Sequence, residues 1–135
     1  YCEPRTGFQL GMQGNGYAGG CPAPAEAAFL RAYNHGKQIH EVETQIRRLD
    51  SILAVNESER DRLDHSILQR RTELAEARLG AGVPEALRAE LRELEATAEM
   101  VEAEIDALRA ALREQHVQLG LLRQEAVPGD SAAVK

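Results

Sequence analysis

Two runs of heptad-spaced positions, separated by one five-residue interruption, constrain this chain more than any other feature. In the first, Ile39, Val42, Ile46, Leu49, Leu53, Asn56, Arg60, Leu63, Ile67, Arg70, Leu74 and Ala77 follow one another by alternating steps of three and four. The second continues the pattern through Leu87, Leu91, Leu94, Ala98, Val101, Ile105, Leu108, Leu112, Gln115, Leu119 and Leu122. Such steps keep one side of a helix apolar, as the a and d positions of a heptad. The break, Gly80-Ala81-Gly82-Val83-Pro84, is short enough to return the second helix along the first. The sequence therefore predicts an all-α fold: a long antiparallel coiled-coil helical hairpin with a small, irregular, Gly-rich N-terminal head. The head covers 1–23, the first helix 24–79, the turn 80–84, the second helix 85–126 and a flexible tail 127–135. Gly80 suits the C-terminal cap of the first helix and Pro84 the first position of the second.

The heptads permit two registers. One opposes Leu53 to Leu108, the other Leu53 to Gln115. Charge favours the second, which brings Glu57 and Asp64 near Arg109, and Arg71 near Glu95 and Glu102. The span of the break favours the first. Each exposed ion pair contributes only about 0.2–1 kcal/mol, so the first is expected.

Glycines at Gly7, Gly11, Gly14, Gly16, Gly19 and Gly20 predict turns rather than a helix over the head. Gly14-Asn15-Gly16 reads as a tight turn that brings Tyr17 toward Phe8 or Leu10. Gly7-x-x-x-Gly11 is a spacing for close helix packing in membranes, and in this polar segment it reads as loop. Pro22 and Pro24 open the first helix, and Gly36 inside it marks a bend or a close packing contact. The second helix ends before it can cover Phe29, Leu30 and Tyr33, so the head is expected to fold onto them.

The chemistry on offer is sparse. The formal charge is -6 and no basic block occurs, which speaks against nucleic acid as a partner. No stretch approaches the ~18 apolar residues of a membrane span. Cys2 and Cys21 admit three readings: a structural disulfide in an oxidising compartment, a zinc site with His35 and His40, or free thiols. Their even number and the absence of a short C-x-x-C knuckle favour the disulfide, and His35 and His40 project about 140° apart on a helix. Gly11, Gly14 and Gly16 follow the outline of a phosphate-binding loop, but without the strand before and helix after that such a loop needs. No catalytic residue, metal site or cofactor is predicted. Asn56, Arg60, Arg70 and Gln115 are polar residues on the seam that set register and strand number, or mark a loose stretch where a partner helix inserts. Ile52, Val55 and Leu68 lie off the seam and, with Gly80, Ala81, Gly82 and Val83 of the break, are the candidate contacts for a protein partner or a second copy.

The head pattern Tyr1-Cys2, Pro4, Gly7, Gly11, Gly14, Tyr17, Cys21-Pro22, Phe29, Tyr33 and Gly36 resembles a family of Gram-negative bacterial proteins of unknown function, usually described as lipoproteins. The resemblance covers about the first third of the chain. It implies export to the periplasm and a lipid-modified cysteine upstream of Tyr1 that holds the protein to the outer membrane, and it implies no activity. The expected function is that of a non-catalytic periplasmic structural or adaptor protein, touching the membrane only through that anchor. The alternative is a small thiol- or metal-dependent enzyme, or a metal-binding protein, built on the N-terminal Cys and His residues.

Overall fold

The computed structural model of the protein describes residues 1–78, 80, 82 and 84–125. Among these residues there are three helices and no strand: α1 (Pro4–Met12), α2 (Ala23–Arg78) and α3 (Glu85–Gln124). Ala81, Val83 and the tail 127–135 lie outside the described residues. The chain divides into two compact units. The first comprises Tyr1–Arg48 and Leu112–Lys135, the second Leu49–Ala111.

In the first unit, the turns expected over the head are replaced by α1. Pro4 occupies its first turn, where a missing N–H leaves no gap, and the Gly7 amide donates to the Glu3 carbonyl at 3.1 Å. At the other end, the Asn15 amide donates to Leu10 (3.1 Å) and the Gly14 amide to Gly11 (2.9 Å), with Gly14 at φ 75°. This is a Schellman closure rather than a hairpin turn. Tertiary contact outweighs the poor helix propensity of α1's glycines. A Cβ at Gly11 would collide with the Tyr33 carbonyl and lie 2.6 Å from the Lys37 nitrogen; one at Gly36 would collide with the Phe8 carbonyl. The backbones of α1 and α2 thus meet at three glycines, with Gly7 against Phe29. Gly7-x-x-x-Gly11 is a helix-packing motif here, not a loop, and Gly36 is a packing contact within a continuous α2.

The head covers the apolar start of α2, as expected. Phe29 is completely buried, with the Tyr1 ring 5.7 Å and the Tyr17 ring 4.8 Å from its own, and the Tyr33 hydroxyl donates to the Asn15 carbonyl at 2.9 Å. Ala32, Ile39, Val42, Ile46, Leu112 and Leu119 extend this core. Each large side chain so buried contributes about 1.5–3 kcal/mol.

In the second unit, Leu63, Ile67, Leu91, Ile105 and Leu108 form the buried seam between antiparallel stretches of α2 and α3. Arg60 Nε lies 3.8 Å from Glu102 and Arg70 Nε 2.9 Å from Glu90. With Leu53 opposite Leu108, both glutamates are one residue from the position each arginine faces. With Leu53 opposite Gln115 they would be displaced by roughly 9 and 12 Å along the axis. The Leu53–Leu108 register is therefore the one adopted. Glu57–Arg109 (3.2 Å) and Arg71–Glu95 (3.4 Å), two pairs that charge assigned to the other register, form in this one. Helical side chains lean toward their own N-terminus, so those of antiparallel neighbours converge and bridge an axial offset of roughly 7.5 Å.

At the break, the Gly80 amide donates to the Ala77 carbonyl at 3.1 Å and closes the end of α2. The Pro84 carbonyl accepts from Arg88 at 3.3 Å, which makes Pro84 the residue that caps α3 rather than its first helical position.

Candidate functional site

The cysteines and histidines of the N-terminal region, Cys2, Cys21, His35 and His40, are all engaged within the fold. Cys2 and Cys21 form a disulfide, with Cα atoms 5.6 Å apart, that pins the start of α1 beside the start of α2. The last carbonyls of a helix have no intrahelical donor, and both histidines serve such groups. His35 Nε2–H donates to the Leu122 carbonyl in the final turn of α3 at 2.7 Å, and the ring is 8% exposed. His40 Nδ1–H donates to the Met12 carbonyl at the end of α1 at 3.0 Å. The rings considered for zinc thus act as side-chain caps for two different helices. Among the described residues no group of three or more His, Cys, Asp or Glu side chains is placed to hold a metal ion.

Tyr17 links the disulfide to α2. Its hydroxyl donates to Glu26 Oε2 at 2.9 Å and accepts from the Cys21 amide at 3.2 Å. Burial of the phenol raises its pKa above the ordinary value; the Cys21 amide opposes this, and the Glu26 carboxylate adds to it. The phenol therefore stays neutral and serves as a brace.

The polar seam residues of the second unit find partners without leaving the seam. Asn56 Nδ2 donates to the Ile52 carbonyl at 3.0 Å. Arg60 reaches Asp61 and Glu102, and Arg70 reaches Glu73 and Glu90. The Asp61 hydrogen bond chiefly holds Arg60 in its charged form, as the Glu90 hydrogen bond does for Arg70. Their stems pack along the seam while their heads pair at its edge.

The candidate partner contacts on α2 are exposed: Ile52 by 42%, Val55 by 70% and Leu68 by 64%. They do not form one stripe. At 3.6 residues per turn Ile52 and Val55 lie about 60° apart on one flank, whereas Leu68 falls more than about 100° away on the other. In the adopted register, Ile52 and Val55 lie on the flank shared with Ala107 and Ala111 of α3. Gly80 and Gly82 are exposed at the break. Sequence reasoning missed three exposed apolar residues on α3, Met100, Val117 and Leu121, because they lie off the heptad seam it followed. It also missed the capping role of His35, whose carbonyl partner is 87 residues away.

A family described as a protein of unknown function, DUF2799, matches residues 1–38. The matched stretch contains the disulfide, α1 and the glycine contact with α2, and ends before the heptads. No curated protein and no solved structure matches the chain.

Proposed function

We propose that this protein is a non-catalytic adaptor of the periplasm that docks a partner protein on its paired helices. In this reading α2 and α3 form an antiparallel coiled coil, and a lipid-modified cysteine upstream of Tyr1 tethers it to the outer membrane. The observation that carries the proposal is the exposure of Ile52 and Val55 side by side on one flank of the second unit. Large aliphatic groups clustered this way commonly mark an interaction surface. The Cys2–Cys21 disulfide supports an oxidising compartment, where such a bond persists.

A photoreactive amino acid at position 55 of the anchored protein, activated in intact cells, tests the docking. A discrete adduct that disappears with Ile52→Glu is the expected result. Equal adduct patterns from position 55 and from a probe replacing Thr97 would end the proposal. For the compartment, a membrane-impermeant maleimide applied after reduction of intact outer-membrane-permeabilised cells should label Cys2 and Cys21. Labelling only after lysis of the inner membrane would place the protein elsewhere.

A further inference from the structure

In the first unit, one flank of the α2/α3 pair holds a groove of about 260 Å³ with Ile46 and Leu119 as its floor and Glu43, Arg47, His116 and Arg123 around it. The floor is well packed, with Ile46 8% and Leu119 6% exposed. Among the described residues that line it, two arginines and a histidine thus share the groove with one glutamate, on a chain whose formal charge is -6. Glu43 approaches Arg123 only to 3.9 Å, and Arg47 Nη2 donates to the Thr44 hydroxyl at 3.1 Å.

A second feature of the same flank has no packing explanation. Gly120 stands in the interior of α3, four residues after His116 and three before Arg123, so the three share one face of the helix. Glycine is the poorest helix former after proline. Gly11 and Gly36 are required because a Cβ would strike backbone, yet a Cβ at Gly120 meets nothing within 4 Å. What the missing side chain leaves open is access to the helix backbone between two basic side chains.

We infer that this groove binds a phosphate group. Guanidinium groups present paired N–H donors that match phosphate oxygens, and Arg47 and Arg123 supply two from opposite helices. His116 adds a third donor from the groove wall, and Gly120 lets the anion settle against α3. Glu43 competes for Arg123, and the negative end of the α3 dipole opposes an anion, so the affinity is modest and release is easy. A free phosphate and a phospholipid headgroup offer the same chemistry. The inference stands apart from the adaptor reading, since it uses neither Ile52 nor Val55.

The test follows the His116 ring resonances of the full chain by NMR while sodium phosphate is added, against sodium chloride at matched ionic strength and pH. A saturable shift of His116, without one at the exposed His65, is expected. Arg47→Gln and Arg123→Gln should each weaken it about tenfold, and Glu43→Gln should strengthen it. Gly120→Leu should abolish it while circular dichroism shows α3 intact. A parallel arm measures co-sedimentation with phosphatidylcholine vesicles with and without phosphatidylglycerol. Variant-sensitive binding only to the anionic vesicles makes a lipid headgroup the source, whereas saturation by phosphate alone makes it a free phosphate; either supports the site. The inference fails if His116 responds equally to chloride and phosphate and vesicle binding is absent or indifferent to the arginine variants.

Discussion

Alanine in place of glycine should have opposite effects in α1 and α3, and the contrast tests the account of the first unit. In an exposed helix interior the change gains about 1 kcal/mol, because glycine loses more backbone freedom on folding. Gly120→Ala should show this gain in full, since its Cβ enters open space. At Gly11 the same Cβ would fall on the Tyr33 carbonyl and 2.6 Å from the Lys37 nitrogen, both backbone atoms of α2. Favourable carbon contacts lie near 3.5–4.0 Å, so α1 must retreat by roughly 1 Å, and a gap of that size forfeits up to about half of each neighbouring contact. Overpacking of this kind costs about 1–3 kcal/mol. Net of the propensity gain, Gly11→Ala should destabilise the first unit by up to about 2 kcal/mol, and Gly36→Ala should do likewise. Urea unfolding followed by circular dichroism gives the sign, and amide hydrogen exchange along α1 gives the location. If Gly11→Ala raised the midpoint as Gly120→Ala does, or left α1 as protected as in the parent, close backbone packing would not be why α1 contains glycine.

Three further outcomes are expected. Reducing Cys2–Cys21, or replacing both residues by serine, should remove about 3 kcal/mol for a bridge between residues 19 apart; urea midpoints with and without a dithiol reductant measure it, with far-UV helicity largely retained. Tyr17 titrates higher in the folded state, so its contribution is intact below the unfolded value near 10 and is lost as pH rises through the raised folded pKa. Stability measured across that alkaline window should fall more steeply for the parent than for Tyr17→Phe, and coincident profiles would refute the brace. Arg60→Leu should raise the urea midpoint while broadening the mass distribution in sedimentation equilibrium, because a polar seam residue restricts strand number at the expense of stability; a lowered midpoint would count against that role.

The paired helices were legible because their signal is repetitive and local: from Ile39 to Leu122, each apolar residue announces the next. Leu63, Ile105 and Leu119 are buried where the heptads place them. The break was legible for the same reason, as glycine and proline at Gly80, Gly82 and Pro84 interrupt that repeat. Register was harder, since residue-number arithmetic treats side chains as perpendicular to the axis; their lean lets Glu57 reach Arg109 from a register that seemed to exclude the pair. Helix α1 was misread because its glycines weaken the helix locally, and their compensation lies in Gly36, more than twenty residues onward. The motif spacing Gly7-x-x-x-Gly11 was visible and so was the oddity of Gly36; what was not visible was that they meet. The Arg47, His116 and Arg123 groove was equally hidden, because its members are unremarkable until two distant stretches pair.

The imidazole of His35 has a consequence beyond capping. Its edge holds the final turn of α3 through the Leu122 carbonyl, and the ring of Phe8 from α1 lies 5.3 Å from it. Three helices therefore converge on one side chain of α2. The final turn of α3 and Phe8 of α1 are thus seated on the same ring. His35→Ala should therefore speed amide exchange both around Phe8 in α1 and in the final turn of α3, and loosening of one without the other would show that the ring does not join them.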